Sequence, residues 1–256
     1  MLVRVQRRLT ARSAAVLATI ESRLPQIMTG WLMLSAGACT LRIAASPHAE
    51  VGRLETWLPY LLLIGAPLGS MWLALRWFAA GDRMAQPVWR LARVGQWRDV
   101  SPAEARAHPL YGASGIMVSL LVGMLVNVVV RSAEYLVAMP AVSGDIPAWL
   151  GVLHTLMTFD VVMLSALYAV AFAAALRRAP IFPRLLVAAW ALDLFMQLTT
   201  GAALASAPGL PHGVATALGG LLAGNVKKVL ISIALWLPYL LLSKRVNVTY
   251  RRRLPA

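Results

Sequence analysis

AWLGVLHTLMTFDVVMLSALYAVAFAAAL, Ala148–Leu176, runs for 29 residues with one carboxylate, Asp160, and one histidine, His154. At about 1.5 Å per helical residue it exceeds the roughly 30 Å of a bilayer's hydrocarbon, so it reads as a transmembrane helix. Working outward, five more apolar stretches meet the same criterion: Ile27–Ala45, Trp57–Ala80, Tyr111–Ala138, Phe182–Ser206 and Thr216–Ser243. The first is the shortest and carries Arg42, which leaves five spans as the competing count. Together these stretches consume most of the 256 residues and leave no room for a separate soluble catalytic domain. The predicted fold is all-α, a polytopic helical membrane protein of about six transmembrane helices. Its parts are a basic amphipathic N-terminal segment (1–26), a six-span bundle (27–243) with one long loop (81–110), and a basic tail (244–256).

Composition agrees. Apolar residues make up 59% of the chain and charged ones 13%, with a mean hydropathy of +0.69, which excludes a disordered chain and an ordinary soluble domain. The formal charge of +14 lies almost wholly in short segments between apolar runs, so it orients a membrane protein and does not mark a nucleic-acid binder. Arg4, Arg7, Arg8, Arg12 and Arg23 precede the first span; Arg83, Arg90, Arg93, Arg98 and Arg106 follow the second. Arg177, Arg178 and Arg184 follow the fourth, and Lys244, Arg245, Arg251, Arg252 and Arg253 follow the sixth. The intervening loops hold Arg53 alone. Under the positive-inside rule this alternation places both termini in the cytoplasm and favours six spans over five. Arginine outnumbers lysine in an alanine-rich chain, as in proteins of GC-rich bacteria, which points to a bacterial inner membrane. The one cysteine, Cys39, excludes an intrachain disulfide and a cysteine-based metal site.

Between the spans, Val5, Leu9, Val16, Ile20 and Leu24 recur at helical spacing opposite arginines, as in a helix lying on an anionic leaflet. The apolar part of this segment is too short for a signal peptide, and it is expected to be retained. Val88, Trp89, Leu91, Val94 and Trp97 alternate with arginines and predict a second interfacial helix. Ser101-Pro102-Ala103-Glu104 reads as a capping box with proline at the first helical position. Gly65/Gly69, Gly115/Ser119/Gly123 and Gly220/Gly224 put small residues one turn apart, a pattern that lets helices in lipid approach closely.

Ionisable groups within the spans are costly and call for partners. Counted from the nearer helix end, Asp160 and Asp193 fall level near the midplane, while Arg42, Arg131, Lys227 and Lys228 fall in the outer part, with Glu134 three residues after Arg131. The layout predicts a basic outward-facing vestibule above two carboxylates. Its candidate ligand-binding residues are Arg131, Glu134, His154, Asp160, Asp193, Lys227 and Lys228, with Asn127, Gln197 and Asn225 as neutral hydrogen-bonding groups. The competing structural reading pairs Arg131 with Glu134 at helical spacing and lets the lysines snorkel to headgroups.

Two sequence resemblances bear on function. Gly112-Ala113-Ser114-Gly115 and Leu218-Gly219-Gly220 resemble motifs of rhomboid intramembrane proteases, but Ala217 stands where that family has its histidine, so Ser114 lacks a base. Trp236-Leu237-Pro238-Tyr239-Leu240, Ser243-Lys244-Arg245-Val246 and Thr249-Tyr250, with Gly30-Trp31-Leu32 near the first span, resemble the bacterial domain of unknown function 2569 family of inner-membrane proteins. That resemblance covers mainly the two ends of the chain. It implies a compact helical membrane protein and no established activity.

No cofactor is expected: bis-histidine haem needs two facing imidazoles, and only His154 lies well inside a span, while His48, His108 and His212 fall in loops. The sequence therefore predicts a non-enzymatic binding or accessory protein. Its expected partners are the lipid bilayer, another membrane protein or complex, and an anionic lipid or small amphiphile in the vestibule. The alternative is a small proton- or cation-coupled transporter of an anionic or amphiphilic solute, with Asp160 and Asp193 as the relay. An enzyme acting on lipid-linked substrates through His154 and the aspartates ranks third.

Overall fold

The computed structural model describes residues 2–47, 49–91 and 95–256, with side chains from residue 11 onward. The side chains of Arg4, Val5, Arg7, Arg8 and Leu9, together with His48, Arg93 and Val94, lie outside that description. The fold is all-α and polytopic. Six long helices are apolar enough to cross a membrane: α1 (Leu2–Ala44), α2 (Leu54–Trp77), α4 (Ile116–Ala138), α5 (Ala148–Leu176), α6 (Phe182–Ala205) and α7 (His212–Leu242). Two short helices, α3 (Pro102–Ala107) and α8 (Lys244–Arg251), and two short strands, β1 (Trp97–Asp99) and β2 (Arg253–Pro255), gather at one end. That end carries the arginine-rich segments and is called the basic end below; the opposite is the far end.

The decisive stretch, α5, is the centre of the bundle. It packs against α2, α4 and α6, and 67% of its apolar window is buried, against 17% for α1 and α7 at the periphery. Its last turns explain the close packing: Ala171, Ala173, Ala174 and Ala175 are fully buried and let neighbours approach. The helix then stops abruptly. Arg178 takes a left-handed φ of 58°, and Ala179 N–H donates to Ala174 O at 2.8 Å while Arg178 N–H reaches Ala175 O at 3.1 Å, the reversed bonds that close a helix before Pro180.

Several expectations are corrected here. No break separates residues 1–26 from the first span, because α1 continues through Pro25, and Leu17 and Leu24 join the main core. Residues 84–91 are not helical and Trp97–Asp99 is a strand, so among the described residues the interfacial helix expected from Val88 to Trp97 does not form. A Cβ added at Gly65, Gly69, Gly123, Gly220 or Gly224 would meet nothing within 4 Å, so none of these glycines is required by close helix approach, whereas the α5 alanines are fully buried. The Ser101 box forms in part: Ser101 Oγ accepts from Glu104 N–H at 3.2 Å, but the Glu104 carboxylate turns away to Arg98 at 2.5 Å.

The expected basic tail is folded. Val246–Arg251 are all buried, Tyr250 donates to Ala175 O at 2.9 Å, and its ring lies 4.9 Å from Phe182. Arg245 donates to Leu110 O, Gly112 O and Ser114 Oγ, and Arg252 donates to Asp82 O and Met84 O. β2 pairs antiparallel with β1, Asp99 opposite Arg253, and Asp99 accepts from Arg90 at 2.5 Å and Arg253 at 3.1 Å. Burial alone would raise the Asp99 carboxyl, but the Arg253 and Arg90 bonds outweigh it and hold it below the ordinary aspartate range.

Two outcomes follow. A Cβ at Gly81 would stand 2.5 Å from Arg177 O, so Gly81→Ala forces the 81–83 turn off the α5 terminus and lowers stability by about 1–3 kcal/mol, read as a lower thermal midpoint. A carboxyl held low contributes its stability above its unfolded pKa of roughly 3.9 and loses it as pH falls through the depressed folded value. Amide protection in Trp97–Asp99, corrected for intrinsic exchange, therefore persists down to that range and collapses beneath it. Asp99→Asn shows the loosened strand at neutral pH.

Candidate functional site

Asp160 is the thirteenth residue of α5 and Asp193 the twelfth of α6, so both stand near mid-helix, and neighbouring packing brings them to one level. Arg131, seven residues from the far end of α4, points between them. Its Nη1 donates to Asp160 Oδ2 at 2.7 Å and its Nη2 to Asp193 Oδ2. The side chains of Arg131, Asp160 and Asp193 are 10%, 9% and 1% exposed, so one guanidinium clamps three helices inside the bundle. Splitting its fork between two helices satisfies the planar donors and fixes the helices azimuthally. Gln197, one turn beyond Asp193, donates Nε2 to both carboxylates at 3.3 Å, and Tyr168 donates its hydroxyl to Asp193 Oδ2 at 3.3 Å.

A polar chain leads from this centre to the surface. Asn225 Nδ2 donates to Gln197 Oε1 at 3.4 Å, Lys228 Nζ donates to Asn225 Oδ1 at 3.3 Å, and Lys228 also pairs with Glu134. The pairing of Arg131 with Glu134 is thereby replaced: Arg131 turns inward to α5 and α6, while Glu134 crosses to α7. Because α7 starts at His212, Lys228 is its seventeenth residue of 31, near mid-helix and not in the outer part.

The chain borders a groove of about 240 Å³ between α4 and α7, floored by α5 and α6. Asn127, Arg131, Glu134, Asn225 and Lys228 line its polar end with Asp193 and Tyr168. Towards the basic end it becomes apolar, with Leu120, Met124, Leu186, Trp190, Val229 and Trp236. A separate apolar recess of about 320 Å³ lies among α1, α2 and α4, lined in part by Gly30 and Trp31.

Five of the seven candidate residues thus converge, with Asp160 behind Arg131. Lys227 is exposed outside the groove lining, and His154 is half-buried on α5 with Nε2 unpartnered, also away from it. Arg42 instead donates to Met139 O at 2.9 Å, tying α1 to the end of α4. Sequence reasoning missed Tyr168, Trp190 and the groove role of Trp236. The i, i+3 spacing of Trp190 with Asp193 was the available signal. Ser114 is held by Arg245 at 2.8 Å at the basic end, and among the described residues no group of three metal-ligating side chains occurs.

No model of a known protein family matches the chain, no curated protein matches it, and no solved structure matches it.

Removing one partner from a buried charge cluster strands the others, at about 3–5 kcal/mol. Arg131→Gln is expected to cost that much in unfolding by sodium dodecyl sulfate titration. Adding Asp160→Asn to Arg131→Gln recovers part of the loss, and the double-mutant cycle reads the coupling.

Proposed function

We propose that this chain is a multi-pass protein of a bacterial inner membrane that binds a small amphiphile in the groove between α4 and α7. The observation that carries the reading is the division of one groove into a polar end at mid-helix depth and an apolar end beside Trp190 and Trp236. Flanked by two helices whose outer surfaces are apolar, with Val126, Val129, Ile231 and Leu235 exposed, the groove faces lipid sideways. A molecule with a tail and a head group reaches it from within the bilayer. The role is binding and not catalysis: each ionisable group of the polar end is already engaged by another, and none stands as a nucleophile with a base. Trp236 belongs to the stretch that resembles the domain of unknown function 2569 family, so that resemblance falls at the apolar end of the groove.

Native mass spectrometry of protein extracted gently from its own membrane tests this. The wild type is expected to carry a stoichiometric small molecule that is lost from Trp190→Ala/Trp236→Ala, a variant that empties the apolar end and spares the charges. Retention of the same mass by the variant, or absence of any from the wild type, counts against the reading.

A further inference from the structure

The sequence predicted an anionic lipid or small amphiphile at a basic vestibule; the charges as paired in the structure favour a cationic head group. Arg131 is shared by Asp160 and Asp193, and Lys228 is occupied by Glu134. One guanidinium against two carboxylates, beside a neutral ion pair, leaves the polar end with one formal negative charge. Lys227 does not line it. An unbalanced charge in a weakly polar interior is expensive and is relieved by a counter-charge brought by a ligand.

The free hydrogen-bonding capacity has the same sense. Among the described residues Asp193 Oδ1 receives only Gln197 Nε2 at 3.3 Å and Glu134 Oε2 has no partner, while Asn127 on the same wall offers acceptor and donors alike. A carboxylate offers about four lone-pair sites, so Asp193 and Glu134 both keep unfilled acceptor positions. Two of the three Lys228 protons are engaged, by Glu134 and Asn225, both terminal nitrogens of Arg131 already serve carboxylates, and its Nε is shut away from solvent. Below the carboxylates come the rings of Tyr168, Trp190 and Trp236, whose faces attract cations.

We infer that the groove takes an amphiphile with a cationic, amine-type head group, the ammonium donating to Asp193 and Glu134 while its alkyl or aryl part lies against Trp190 and Trp236. This rests on the groove-binding reading above and names the ligand class for it. The specificity is electrostatic: an alcohol of the same tail loses the charge, and a carboxylate adds a second unbalanced negative charge.

Isothermal titration calorimetry on the full chain in lipid nanodiscs, with empty nanodiscs as the blank, compares octylammonium, octanol and octanoate at neutral pH. Octylammonium is expected to bind saturably at one site and more tightly than the other two. Asp193→Asn weakens it by at least about tenfold. Because that variant touches the buried triad and can fail to fold, Lys228→Gln provides a change of opposite sign. It removes the cation that neutralises Glu134, so octylammonium binds more tightly than to wild type, a gain that misfolding does not produce. Equal or tighter binding of octanol or octanoate, or no gain in Lys228→Gln, overturns the cationic assignment and leaves the groove reading standing. Saturable binding by none of the three overturns both.

Discussion

A guanidinium held between carboxylates on two other helices is the constraint on which the interior depends. Helices in lipid gain little from burying apolar side chains against one another, since the tails around them are equally apolar. Orientation about each helix axis must come from shape or from polar groups. Here Arg131 supplies it for α4, α5 and α6 together, because its two terminal nitrogens serve different helices. Gln197 repeats the arrangement one turn away, touching both carboxylates with a single amide nitrogen. The groove exists because the same contacts draw α4 inward at Arg131 and leave α7 bound mainly through Asn225, Lys228 and its packing on α6.

The basic end is closed by a different device. α5 supplies an alanine-lined terminus, and α8 lays Tyr250 across it while Arg245 and Arg252 collect carbonyls from the preceding loops. Arg251, 3% exposed, has its guanidinium lowered to about 10 by burial and by the nearby charges of Arg253 and Arg184. The arginines of the basic end thus serve as hydrogen-bonding stock for a folded surface.

The spans were legible because hydropathy over about twenty residues is a strong signal, and the boundaries of Ala148–Leu176 coincide with α5. The level of Asp160 and Asp193 followed from counting residues. Their meeting with Arg131 did not, since a sequence gives depth along a helix but not which way a face turns. At helical spacing Arg131 and Glu134 looked like partners; each instead found a carboxylate or amine on another helix, contacts 29 to 94 residues away in sequence. The tail looked solvated because arginines dominate its composition. Its Val246, Val248 and Tyr250, set within the basic run, were the apolar sign of burial, and the structure buries the segment all round. The clasp between Trp97–Asp99 and Arg253–Pro255 joins segments too short and too charged for any strand pattern to register.

The amides between Lys228 and the carboxylates all point one way. Lys228 donates to Asn225, Asn225 to Gln197, and Gln197 to Asp160 and Asp193, each group accepting on the side of the groove's edge and donating on the side of the core. Such a row is a polarised line of dipoles, each bond reinforcing the next. Reversing either amide would set like groups against one another on both of its sides, so the direction of the row is fixed from its two ends: the Lys228 ammonium can only donate and the carboxylates can only accept.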